Sequence, residues 1–117
     1  MKILTVSTDP ELSVFRQRIL EQAGHDVVAL SDEKDAFTTV ENSPAFDVVL
    51  ICHRFPDASA RKLVRLIREI RSPARVVYVA HIYGEWPEVE ADRYVVGADG
   101  PDALVRVIHE AVSHPAS

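Results

Sequence analysis

The chain has 117 residues, 47% of them hydrophobic and 26% charged, which is the size and balance of one globular domain and argues against a two-domain enzyme. Its one cysteine, Cys52, rules out an internal disulfide and a multi-thiolate zinc site and fits a reducing compartment. The net charge of −5 disfavours a nucleic-acid partner, yet residues 54–75 carry seven basic groups against Asp57 and Glu69, a local +5 that leaves −10 on the remainder and suits steering toward an acidic partner.

Met1-Lys2 runs straight into Ile3-Leu4-Thr5-Val6, a run too short for the apolar core of a signal peptide. No stretch approaches the roughly 20 apolar residues of a membrane span. The expectation is a cytoplasmic domain over 1–113, with 114–117 as a tail or the start of a linker.

In chain order, Lys2 to Val6 reads as a short apolar strand. Thr8 and Glu11 then have the spacing of a capping box, with Pro10 suited to the first turn of a helix. Leu12, Phe15, Ile19 and Leu20, with Ala23 behind them, form the expected apolar stripe, and Gly24 supplies a left-handed stop. Val27 to Leu30 is the second strand. Ser31-Asp32 offer a cap for a second helix through Ala36, Phe37 and Val40, which Asn42-Ser43-Pro44 ends.

Asp47 to Cys52 is a continuous apolar run, the pattern of a central parallel strand covered on both faces. From Ala58 to Arg71, Leu63, Leu66, Ile67 and Ile70 share one helical face and Arg61, Arg65 and Arg68 the other. Arg75 to Ala80 and Arg93 to Val96 are the fourth and fifth strands. Pro101 to Val112 is a closing helix with Leu104, Val105, Ile108 and Val112 inward. Between Ala80 and Arg93, Gly84 and Pro87 oppose helix, so the helix expected there is shortened or missing.

Five alternations with short links predict an α/β, flavodoxin-like (βα)5 fold, a doubly wound parallel sheet in the order 2-1-3-4-5. In such a sheet the site lies beyond the carboxyl ends of the strands, at the switch point between the first and third. That directs attention to Ser7-Thr8-Asp9, Cys52-His53, Ala80-His81 and Gly97-Ala98.

Ile3-Leu4-Thr5-Val6 followed by Asp9-Pro10-Glu11-Leu12, Ala23-Gly24-His25-Asp26-Val27-Val28, Asp47 to Ile51, Phe55-Pro56 and Asp92 to Val96 make nearly the whole chain resemble the receiver domain of bacterial response regulators, the CheY-like family. The resemblance implies a two-component, phosphorelay-type signalling role and a phosphoaspartate site. Such a site needs a carboxylate nucleophile, a hard cation held by acids, and fixed positive charge on the phosphoryl oxygens. Carried across by position, the acidic pair falls on Ser7 and Thr8, the phosphoacceptor on Cys52, the hydroxyl residue on Ala80 and the lysine on Gly97. Every part is replaced together, so the expectation is a degenerate pseudo-receiver with no catalytic residue, no metal and no cofactor. It would act by binding a signalling protein or a second copy of itself as a homodimer.

Two other readings stay open. Cys52 with His81 is a candidate thiol or redox pair; His53 is expected to face away, because successive strand residues alternate. Asp9 would be the third ligand if Cys52 and His81 held a soft metal. Alternatively, small side chains at Ser7, Thr8, Cys52 and Gly97 leave an emptied pocket for a small ligand. An arginine-gripped phosphatase loop is excluded by Ala58, six residues after Cys52, and the four glycines form no nucleotide fingerprint. For a protein partner the candidate surface is the basic face of Arg61, Arg65 and Arg68, with the aromatic residues Tyr83, Trp86 and Tyr94.

Overall fold

In the computed structural model, which describes residues 1–42, 45–81 and 88–113, five parallel strands form one sheet in the order β2-β1-β3-β4-β5. The strands are β1 (Lys2–Val6), β2 (Asp26–Leu30), β3 (Val48–Cys52), β4 (Arg75–Ala80) and β5 (Arg93–Val96). Among the described residues three helices join them, α1 (Pro10–Gln22), α2 (Glu33–Asn42) and α3 (Asp57–Glu69), and α4 (Pro101–Ser113) follows β5 after a 3-10 turn at Gly97–Asp99. The expected fold and strand order are present. The described residues between β4 and β5 contain no helix; residues 82–87, with Tyr83 and Trp86, lie outside them, as do Ser43, Pro44 and the tail from 114.

Strand alternation divides the core in two. Ile3, Val48, Leu50, Val77 and Val79 pack on one face against Leu20 of α1 and Leu104, Val107, Ile108 and Ala111 of α4. Leu4, Val6, Val49, Ile51, Val76 and Tyr78 pack on the other against Ala36 and Val40 of α2 and Leu63, Val64 and Ile67 of α3. Every residue of β3 is buried, as a strand covered on both faces requires. Asp47 closes the amino end of the β1–β3 pair: its carboxylate accepts from Lys2 N at 2.8 Å, and its own N–H donates to Lys2 O at 2.8 Å.

The helix ends explain three corrections. Asp9, not Thr8, caps α1, its carboxylate accepting from Glu11 N at 3.1 Å and Leu12 N at 3.2 Å. The Thr8 hydroxyl instead donates to the Arg54 carbonyl, tying the β1–α1 loop to the turn after β3. The buried face of α1 falls on Ser13, Arg16 and Leu20, and Phe15, expected inward, is left 56% exposed. The inward faces of the other helices shift likewise: Val64 is buried where Ile70 was expected, and Val107 and Ala111 where Val112 was.

Two helices end in the same hydrogen-bonded motif. After α1, His25 N donates to Leu20 O and Gly24 N to Glu21 O, with Gly24 at φ 92°. After α3, Ser72 N donates to Ile67 O and Arg71 N to Arg68 O, but the left-handed position is held by Arg71 at φ 54°. Arg71 therefore lies beyond the helix that was expected to include it.

Candidate functional site

The carboxyl ends of β1, β3, β4 and β5 meet at one edge, where local hydrogen bonds fix the loops. Ser7 is buried; its N–H donates to Leu30 O at 3.2 Å, and its hydroxyl accepts from Asp9 N at 3.1 Å. Cys52 is fully buried, its Sγ accepting from Arg54 N at 3.4 Å. The turn closes as Phe55 N donates to Cys52 O at 2.8 Å, and His53 N bonds across to Val79 O at 2.9 Å.

This packing brings together a different pair from the one expected. Cys52 Sγ lies 3.6 Å from Nδ1 of His53, so the imidazole turns back onto the thiol once the chain leaves the strand. The alternation that predicted the opposite holds only inside the ladder. His81 is exposed and packs on His53, with ring centroids 5.0 Å apart and planes tilted by 37°. Ala80 is buried at the end of β4. Asp9 is engaged as the α1 cap, and among the described residues no three His, Cys, Asp or Glu side chains converge as a metal site.

The open space also lies elsewhere than Ser7, Thr8 and Cys52. A cleft of about 290 Å³ is lined by Leu12, Arg16, His53, His81, Gly97 and Ala98, so Gly97 alone of the four expected pocket residues walls it. Arg16 reaches into the edge from α1. It is 5% exposed, its Nη2 stands 3.5 Å from where a Cβ on Gly97 would be, and its Nη1 is buried with no hydrogen-bond partner among the described residues. Thr5 and Ser13 have buried hydroxyls in the same condition.

The electrostatics of the edge are cationic. Burial lowers the pKa of His53 below the ordinary histidine value, and the charges of Arg16, His81 and Arg54 lower it further, against a backbone hydrogen bond at Val79 that raises it. Tyr78 is pushed up to about 12, by burial first and then by Asp57 and Cys52, so it stays protonated and supplies no base.

On the flanking surface, Arg61 and Arg65 are exposed on α3. Arg68 is engaged: its Nη2 lies 3.0 Å from the Asp92 carboxylate, which also accepts from Val76 N at 2.7 Å. Tyr94 is 41% exposed, yet its hydroxyl bonds back to Val89 O and accepts from Ala91 N at 3.1 Å.

Arg16 was not among the residues singled out from the sequence, and His53 was named there only as a ring expected to face away from Cys52. A signal for the first was present: Leu12, Arg16 and Leu20 recur every four positions, which places a charged residue on the stripe of an amphipathic helix.

No family model and no curated protein matches the chain. Solved structures do match its fold. A CheY-like response regulator receiver domain protein from Methanospirillum hungatei superposes with a TM-score of 0.82 at 22% identity, covering 96% of this chain and 93% of that one. A response regulator receiver protein from Sinorhizobium medicae gives 0.80 at 24%, covering 97% and 95%, and the chemotaxis protein CheY4 of Vibrio cholerae gives 0.79 at 19%, covering 93% and 96%. The chain thus has the fold of response regulator receiver domains over almost its whole length.

Proposed function

We propose that this chain is a receiver-like regulatory domain of two-component signalling that works through phosphorylation-independent protein–protein contact and catalyses no reaction. The observation that carries the reading is the side-chain set at the functional edge of a receiver fold: Ser7, Thr8, Cys52, Ala80 and Gly97 stand where carboxylates, a hydroxyl and a lysine would be needed. A thiol cannot form an acyl phosphate. Without two neighbouring carboxylates a hard divalent cation lacks its strongest ligands, and phosphoryl transfer loses the charge stabilisation on which it depends.

The partner is a cytoplasmic signalling protein or a second copy of the chain. The exposed Arg61 and Arg65 of α3 and the half-exposed Tyr94 ring supply charged and aromatic anchors for it. The thiol-sensor reading has less support, because Cys52 is fully buried.

The test is an amide NMR spectrum of the chain titrated with acetyl phosphate, with and without Mg²⁺, beside a phosphorylatable receiver as control. The expected result is no Mg²⁺-dependent change. Saturable Mg²⁺-dependent shifts around Ser7, Cys52 and Gly97 would overturn the reading.

A further inference from the structure

An arginine as buried as Arg16, 5% exposed, should have its guanidinium paired, since an unpaired charge in a protein interior costs several kcal/mol. Arg16 breaks that rule. Among the described residues its Nη1 has no partner, and no acidic side chain lines the cleft that it walls. The other polar side chains lining it there are the imidazoles of His53 and His81, and Arg54 adds a further positive charge acting on His53. Gly97 leaves open the volume that the guanidinium uses. A buried fork of N–H donors, two imidazoles at the mouth and a cleft without carboxylates share one complement, a small anion with several acceptor oxygens.

We propose that this cleft is a binding site for a phosphate-class oxyanion, held without a covalent bond or a metal ion, with Arg16 as its principal donor and His53 and His81 closing it from the β3 and β4 sides. The inference does not depend on the proposed signalling role. An anion held in this way adds no mass to the protein and needs no Mg²⁺, so the two ideas fail on different readouts.

Arg16 donates to the anion from the wall of the cleft, which neutralises its buried charge. The same anion favours protonation of His53, reversing the effect of the surrounding cations, so the His53 titration moves upward on binding.

The experiment is an NMR titration of the full chain with inorganic phosphate at constant ionic strength, sodium chloride replacing it in the control, without Mg²⁺. The expected result is saturable movement of the Gly97 amide and the His53 and His81 ring signals, with the His53 titration displaced upward. Arg16→Met fills similar volume without charge and should weaken binding by at least about tenfold, the loss of a charge-assisted bidentate contact. Arg16→Lys should fall between. If Arg16→Met does not fold, the wild-type His53 titration still decides, because it must rise with phosphate and not with chloride. Methyl phosphate separates the sources: affinity equal to that of phosphate points to a phosphorylated small molecule, and weaker affinity to the free ion. Shifts that grow linearly without saturation, or that saturate equally in Arg16→Met, would overturn the proposal.

Discussion

Arg16 of α1 and Gly97 after β5 interlock: the guanidinium Nη2 lies 3.5 Å from the point a Cβ on Gly97 would occupy. A single carbon fits there, since its other neighbours, Ala80 O and Val79 Cγ1, are at 3.6 Å. Gly97→Ala should therefore leave stability within about 0.5 kcal/mol of wild type in urea unfolding. Gly97→Leu places its branch onto the guanidinium and should cost about 1–3 kcal/mol as an overpacked site. Equal stability of the two variants would show that Arg16 does not occupy the space.

Stability should fall as the solution is acidified from about pH 7.5 to about 5.5, before most carboxylates titrate. Both His53 and His25 have folded-state pKa values below the ordinary 6.5, His53 through burial, Arg16, His81 and Arg54, and His25 through burial, the Met1 amino group and His109. Below pH 6.5 the unfolded chain takes up these protons first, so stability is lost as pH drops toward the folded values and is fully present above 6.5. Thermal melts should show this trend, with a smaller slope in His53→Gln. A stability that rises on acidification would contradict the cationic surroundings of both rings.

Asp9 caps α1, and two substitutions separate its hydrogen-bonding role from its charge. Asp9→Ala removes the acceptor for Glu11 N and Leu12 N and should cost about 1 kcal/mol, whereas Asp9→Asn keeps it and should cost much less. Chemical denaturation of the pair would settle the role: an Asn variant as unstable as the Ala variant would mean that the negative charge, and not the cap, matters.

Arg71 closes α3 in the left-handed region, where an L side chain is strained and glycine is not. Arg71→Gly should raise stability by up to about 1 kcal/mol, because the hydrogen bonds from Ser72 and Arg71 back into the helix are unchanged. A clear loss of stability in the denaturation midpoint would show that the arginine side chain holds the turn.

The buried Cys52 thiol should resist iodoacetamide in the native chain and react freely after unfolding. Rapid native alkylation would revive the redox reading, with His53 as the nearby ring.

The sheet order and the bounds of β4 and β5 were legible because an uninterrupted apolar run such as Val48 to Cys52 has few alternatives in a chain of this length. Helix rotation was less so. Phe15 and Arg16 stand about 100° apart on α1, and packing against the sheet, which the apolar stripe alone does not fix, turns Arg16 inward and Phe15 outward. The His53 contact was hidden for another reason: a turn follows Cys52 directly, and the period of two that orders strand side chains ends with the strand. The positions proposed as the altered receiver site, Ser7, Thr8, Cys52, Ala80 and Gly97, could be named from the sequence, but which side chain fills the space beside Gly97 depends on packing between α1 and β5.

The most direct test of the account is the intact mass of the chain after incubation with acetyl phosphate and Mg²⁺, read beside a phosphorylatable receiver. The account predicts an unchanged mass while the control gains one phosphoryl group. A gain of one phosphoryl group on this chain would contradict it and would mean that phosphoryl chemistry survives without the residues at Ser7, Thr8 and Cys52 that it is held to require.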